Sequence, residues 1–342
     1  MPERPRRVVI LGEGYSHDPH YGKTLRGIVR YGSDPVVAIV DSARAGEEHE
    51  GIPIVGSVAE SLPYGPTVAV VGVATQGGRF PPAWRALLRA CVEAGLDVES
   101  GLHERLTDDH ELVELAARHG VRLRDVRTPP PGLNVPTGAN LTLGAKVVLT
   151  VGSDCAIGKK TVAIELDREA RRRGIRSLFV PTGQTGIWIA GWGIAIDAVV
   201  ADFLAGAAER LVVEGEERGG ELLFVEGQGS IVHPLYSGVS LGLLHGAAPH
   251  ALVLCHQAGS QEIDGCPGHP IPPLPELVEL HERISLRARP ARVAGVALNT
   301  AGLSDEEARA AITEAAAETG LPADDPVRFG AGSLLDAVLA AL

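Results

Sequence analysis

The chain has 342 residues, 45% hydrophobic but only 4% aromatic, so it can fill two cores packed with Val, Leu, Ile and Ala rather than with rings. Its 31 basic and 43 acidic residues leave a formal net charge of -12, which argues against a general nucleic-acid binder. Cys91, Cys155, Cys255 and Cys266 lie far apart and do not read as a disulfide-stapled secreted scaffold.

Arg4, Arg6 and Arg7 run into no more than Val8 to Leu11 before Gly12 and Glu13, which is not the pattern of a secretory leader. The apolar stretch 182–196 carries four glycines and ends at Asp197, so it does not read as a membrane span. The expectation is a cytoplasmic protein with no nucleic-acid or membrane partner, and a homo-oligomer on the general ground that most soluble assemblies are symmetric ones.

In chain order, strands are predicted at 8–11, 36–40, 52–55, 67–73, 96–99 and 121–126, with helices over 22–29, 82–94 and 110–119. Strands alternating with helices indicate an open, mostly parallel, Rossmann-like sheet. Its first turn, Gly12-Glu13-Gly14-Tyr15-Ser16-His17, has two glycines of the dinucleotide fingerprint but His17 at the third, which weighs against bound NAD. Asp41 ends the second strand, where a ribose-binding acid stands in such folds. His17 and His20 flank Asp18 and read as surface or interdomain residues rather than a metal cluster.

Prolines and glycines between 128 and 143 exclude regular structure and carry the expected domain boundary, giving 1–132 and 133–342. The second domain opens with the strand from Lys146. Further strands are expected at 177–181, 222–226, 250–255 and 293–298. Helices are expected at 162–173, 193–205, 274–286 and 304–319, the last with Ser304 and Glu307 in a capping box.

The stretch 147–161 organises this half. A buried-strand pattern enters Gly152-Ser153-Asp154-Cys155-Ala156-Ile157-Gly158-Lys159-Lys160-Thr161 and then a helix, the elements of a phosphate loop whose backbone N–H groups surround an anion. The spacing is shifted, with the first glycine one residue early and Lys160 where a Ser or Thr usually follows the lysine. Lysine stands only at positions 23, 146, 159 and 160 of an arginine-rich chain, which points to a compact ammonium being needed beside phosphate oxygens. Lys159 is assigned to phosphate; Lys160 faces a second anion, such as an acidic substrate, or solvent. For Mg²⁺ the candidates are the Thr161 hydroxyl, Asp154 and Glu226, the last at a strand end before Gly227-Gln228-Gly229.

The loop 182–192 is read as substrate-binding, including Thr182, Gly183, Gln184, Thr185 and Gly186. Asp197 and Asp202 follow it as less specific acids. Cys255-His256 and Cys266-x-x-His269 offer zinc-type ligands, but neighbours on a strand end point apart and no Cys-x-x-Cys anchors them. His256 is read instead as a base or a phosphate neighbour.

The phosphate loop, Pro181-Thr182-Gly183-Gln184-Thr185-Gly186, Val225-Glu226-Gly227-Gln228-Gly229-Ser230 and His233-Pro234 together resemble the DUF1611 family over nearly the whole chain. The resemblance implies an α/β protein, with an N-terminal Rossmann-like domain followed by a P-loop NTPase-like parallel-sheet domain. From the family's characterised branch it also implies N-acetyl transfer from acetyl-CoA to D-glutamate. The C-terminal half is similar to dethiobiotin synthetase and the cobyrinic acid amide synthases as well, in which a Gly-Thr-Asp-Thr-x-x-Gly-Lys-Thr loop binds ATP and a carboxylate is activated for attack by an amine. Carried over, Gly152, Asp154, Gly158 and Lys159 match that loop. Glu226 matches a metal-binding acid, and Asn299 matches a strand-end asparagine that reads the base. Lys160 departs, displacing the threonine to 161.

The implied cofactor is ATP or acetyl-CoA, with Mg²⁺ if ATP is used, and the substrate is a small acidic amino acid. Lys159, Lys160, Glu226 and His256 are the expected catalytic set. His233, expected at the substrate, is the alternative to His256 for taking a proton from the amine. The competing readings are an ATP-dependent ligase and a nucleotide-gated regulatory protein.

Overall fold

The computed structural model describes residues 5–18 and 21–342; His20 and Arg4, considered above, lie outside the described residues. The chain divides into two compact units. The first comprises residues up to Thr128 together with Gln184–Trp192, and the second Pro129–Gly183 together with Gly193–Leu342.

The first unit is built on a seven-stranded sheet. Its elements are β1 (Val8–Leu11), α1 (Lys23–Tyr31), β2 (Val36–Val40), β3 (Glu48–His49), β4 (Ile52–Val55), α2 (Val58–Ser61), β5 (Val68–Val71), α3 (Trp84–Glu93), β6 (Asp97–Ser100), α4 (His110–His119) and β7 (Leu123–Asp125). The order is β3-β4-β2-β1-β5-β6-β7, parallel except for the β3–β4 edge pair. β1 and β5 are buried along their whole length, as strands covered on both faces must be, and Trp84, Leu88 and Val92 of α3 pack into the same core.

Asp41 has a role the sequence did not suggest. Its side chain accepts the N–H groups of Gly14 and Ser16, each at 3.2 Å, and the Ser16 hydroxyl at 2.5 Å, and it is 2% exposed. The carboxylate that was a ribose-binding candidate therefore holds the first turn of its own sheet.

The remaining elements are β8 (Lys146–Gly152), α5 (Lys159–Arg172), β9 (Ser177–Val180), α6 (Gln184–Ala190), α7 (Ala201–Glu217), β10 (Leu222–Val225), α8 (Ser237–Ala247), β11 (Ala251–Gln257), α9 (Leu274–Arg283), β12 (Arg292–Asn299), α10 (Asp305–Thr319), β13 (Ala323–Asp324) and α11 (Gly332–Ala341). All but α6 form the second unit, around a parallel sheet of order β13-β12-β11-β8-β10-β9. β8 is central, at the point where the strand order reverses, so the ends of β8, β10 and β11 converge where open α/β sheets bind ligands. Among the described residues no helix is long and apolar enough to cross a membrane.

Three expectations are corrected. The segment 193–205 is not one helix: a short turn at Ile196–Ala198 precedes α7, which runs on to Glu217. α8 went unforeseen because Gly238, Gly242 and Gly246 break a helical reading. A Cβ at Gly246 would lie 2.1 Å from the Ala205 carbonyl oxygen, so there the glycine serves close approach to α7. Third, the expected loop 182–192 of the second domain is mostly helix, α6, and its residues from Gln184 on belong to the first unit.

Packing explains that last assignment. The Thr185 hydroxyl lies 3.0 Å from that of Thr24 on α1, the Gln184 side-chain oxygen accepts from Arg127 at 2.8 Å, and the Trp188 indole donates to Glu99 at 2.7 Å. Glu99 also accepts from Arg6 at 2.8 Å. Burial alone would raise the Glu99 carboxyl; Arg6, Arg124 and the indole outweigh it and hold the group below its ordinary value. The two compact units part at Thr128/Pro129, a few residues before the expected 132/133, with Gln184–Trp192 in the first.

Candidate functional site

The end of β8, the turn 153–158 and the start of α5 form the expected loop. Gly158 caps α5 at φ 111°, where it offers no capping side chain, and Ala156 is held at φ 55°, a conformation that costs energy for a residue with a Cβ. N–H groups at the positive end of a fourteen-residue helix are suited to meeting an anion. Lys159 is 6% exposed and its ammonium donates to the Asp154 carbonyl oxygen at 2.5 Å. Lys160 and Thr161, the next two residues of α5, are half-buried.

Asp154 stabilises the turn through both carboxylate oxygens. Oδ1 accepts the Cys155 N–H at 2.6 Å and Oδ2 the Asp264 N–H at 2.8 Å, a clamp that sequence reading missed because it joins positions 110 residues apart. Ser153 donates its N–H to Cys255 O, and its hydroxyl lies 2.9 Å from Nδ1 of His256. Burial lowers the His256 imidazole below the ordinary value against the opposing charge of Asp154, so the ring is neutral near pH 7.

Glu226 follows β10 and is 5% exposed. Its Oε2 accepts the N–H groups of Thr182 at 3.0 Å and Gly183 at 3.2 Å, while the Thr182 hydroxyl donates to Glu226 O at 2.7 Å. Gln228 donates to the same hydroxyl at 3.1 Å. Of the expected substrate residues, Thr182 and Gly183 are therefore beside Glu226, whereas Gln184, Thr185 and Gly186 lie in α6, the first two hydrogen-bonded within the first unit.

Burial pushes the Glu226 carboxyl up to about 7, opposed most by the positive charge of Lys160 and then by the Thr182 and Gly183 N–H groups. The unfolded chain releases this proton near the ordinary glutamate value, so between about 4.5 and 7 the native state holds the extra proton and stability falls as pH rises. Glu226→Gln, which keeps the acceptor and cannot ionise, is accordingly expected to raise the Tm at pH 8 and to leave it nearly unchanged at pH 4.5. The full difference is on the order of 3 kcal/mol. Equal effects at both pH values in thermal melts would remove the proton linkage.

His233, 2% exposed, accepts the Leu235 N–H at Nδ1, 3.1 Å away, and its Nε2 lies 3.8 Å from Oδ1 of Asp154. Asp154, Cys155 and His233 are the one group among the described residues whose ligand atoms lie together at metal-binding spacing, within 4.8 Å of one another. A backbone donor at Nδ1 puts the proton of the neutral ring on Nε2, which removes the lone pair a metal would need. Cys255, Cys266 and His269 take no part in that group.

The Mg²⁺ set fits poorly. Both oxygens of Asp154 and one of Glu226 are occupied by backbone N–H groups, and the position after Lys159 carries an ammonium instead of a hydroxyl. Asn299 ends β12, half-buried, with its side-chain oxygen accepting the Ala301 N–H at 3.1 Å.

Comparison with known proteins also divides the chain near residue 130, with 184–192 counted in the second part. Residues 134–335 match "Domain of unknown function (DUF1611_C) P-loop domain" and 41–129 match "Domain of unknown function (DUF1611_N) Rossmann-like domain". The chain is similar to a D-glutamate N-acetyltransferase of Tritonibacter scottomollicae, 40% identical over 285 residues that span 83% of this chain and 84% of that protein. A D-glutamate N-acetyltransferase of Pseudoalteromonas sp is 36% identical over 280 residues, 82% of this chain and 83% of that protein. The crystal structure of a DUF1611 family protein from Anabaena variabilis superposes with a TM-score of 0.93 at 42% identity, covering 98% of this chain and 99% of that one.

Proposed function

This chain belongs to the DUF1611 family, and we propose that it transfers an acetyl group from acetyl-CoA to the amine of D-glutamate. The observation that carries the reading is the similarity to two D-glutamate N-acetyltransferases over more than four-fifths of the chain. In the reaction the amine nitrogen bonds to the acetyl carbon, the carbon–sulfur bond breaks, and the proton lost by nitrogen leaves with the CoA thiol.

Coenzyme A needs an anion site for its phosphates, and the turn 152–158 with Lys159 supplies backbone N–H groups, a helix N-terminus and an ammonium. The phosphates and the thioester of CoA are separated by the pantetheine arm. Groups touching the loop anion therefore bind and orient the donor without touching the reacting carbon. On this reading Lys159 and His256 are binding residues, with neutral His256 beside Ser153 as a phosphate neighbour. His256→Ala is expected to raise KM for acetyl-CoA about 10–100-fold with kcat little changed, since loss of one hydrogen bond to an ion is worth roughly 1.5–3 kcal/mol. A fall in kcat alone would reassign His256 to the chemical step.

The direct test is incubation with acetyl-CoA and D-glutamate in the absence of ATP, following free CoA thiol and N-acetyl product, with L-glutamate in parallel. Product without ATP is expected. Phosphate release that requires both ATP and an amino acid, with no acetylated product, would establish the ligase reading in its place.

A further inference from the structure

The geometry points to a phosphate loop that works without a divalent cation, the ammonium of Lys160 standing where Mg²⁺ stands in nucleotide-hydrolysing loops. Its anion is then a diphosphate diester carrying two negative charges rather than a triphosphate. This rests on the acyl-CoA reading above and narrows what part of the donor the loop holds.

Three observations lead there. First, α5 begins at Lys159, so the residue after the loop lysine is Lys160. That residue presents a hydroxyl to Mg²⁺ in the usual loop, and at 3.6 residues per turn Thr161 is rotated about 100° away from its direction. Second, the acids that would complete a metal site have other uses: Asp154 clamps the Cys155 and Asp264 N–H groups, and Glu226 holds those of Thr182 and Gly183. Third, Lys160 lies within electrostatic reach of Glu226, so a positive charge already stands on the side of the loop where the strand-end acid would direct a cation.

The charge count supports the same anion. A loop lysine with Mg²⁺ supplies three positive charges to a triphosphate, and the metal bridges its outer oxygens. Lys159 and Lys160 supply two, which match a diphosphate esterified at both ends. A triphosphate brought to this site alone would retain uncompensated negative charge beside the buried Glu226.

Calorimetric titration of the whole protein with CoA, and separately with ATP, in Mg²⁺ and in EDTA tests this without any variant. CoA is expected to bind with the same affinity, within about twofold, in both buffers, and more tightly than ATP. Lys160→Thr, which puts a hydroxyl at the usual position, is expected to weaken CoA binding in EDTA about tenfold. Lys160→Met, which keeps the stem, should do the same.

A tenfold gain in CoA affinity on adding Mg²⁺, tighter binding of Mg–ATP than of CoA, absence of CoA binding in either buffer, or unchanged affinity in folded Lys160 variants each overturns the inference. Failure here is distinct from failure of acetyl transfer. N-acetyl-D-glutamate formation that depends on Mg²⁺ removes the metal-free loop and leaves the activity standing, while metal-independent CoA binding with no product does the reverse.

Discussion

Lys159→Ala is expected to raise KM for acetyl-CoA by about 10–100-fold while kcat stays within a few-fold of the wild type. The ammonium is buried in the turn, held 2.5 Å from the Asp154 carbonyl, with its stem crossing Gly227. An anion in the loop would exchange that carbonyl for phosphate oxygens. If the anion is the phosphate end of CoA, this contact is the same in the ground state and the transition state, and such uniform binding appears in KM. If phosphoryl chemistry took place in the loop, charge would develop beside Lys159 during the reaction, and kcat would fall instead, by about 10²–10³. Steady-state kinetics over a range of acetyl-CoA concentrations separates the two, and a pure kcat defect would sink the acyl-CoA assignment of the loop. Lys159→Arg is expected to behave like the alanine variant, because a planar guanidinium does not fit a turn that holds a compact ammonium.

Gly227→Ala is expected to destabilise the second unit by about 3 kcal/mol or more, since a Cβ there would lie 1.8 Å from the Thr150 carbonyl oxygen. Neither partner can yield cheaply. Thr150 sits in the central strand β8, its hydroxyl accepts the Gly227 N–H at 2.9 Å, and the Lys159 stem lies 3.0 Å from the same added carbon. The Tm should fall by roughly 6–12 °C, with CoA binding lost as β10 moves off β8 and carries Glu226 with it. Gly238→Ala is the control, on the exposed first turn of α8 with nothing within 4 Å of the added carbon. It should be neutral or stabilising by about 0.4–1 kcal/mol. Equal melting curves for the two variants would show that the close approach of β10 to β8 is not under steric control.

The sequence by itself determined those features whose local signal is unbroken, as that of α8, with its three glycines, is not. The strand–glycine turn–helix at 147–161, the 110–119 helix and the Ser304–Glu307 capping box follow from periodicity, turn residues and cap chemistry acting over a few positions, and all three are present. So is the placement of Glu226 at a strand end, because alternating strands and helices imply a parallel sheet whose strand ends share one edge; that β10 lies next to β8 is set by the strand order, which alternation leaves open. Tertiary structure alone decided which polar groups were left for a ligand. Asp41, a ribose candidate by position, is occupied by Ser16 and Gly14; Asp154, a metal candidate, by Cys155 and Asp264. It also decided that Gln184, Thr185 and Trp188 bond to Arg127, Thr24 and Glu99 in the first unit, while Thr182 and Gly183 hold Glu226 in the second. A buried carboxylate or hydroxyl must find partners wherever the fold brings donors and acceptors, and those partners are set by packing between distant segments, which no local pattern of residues encodes.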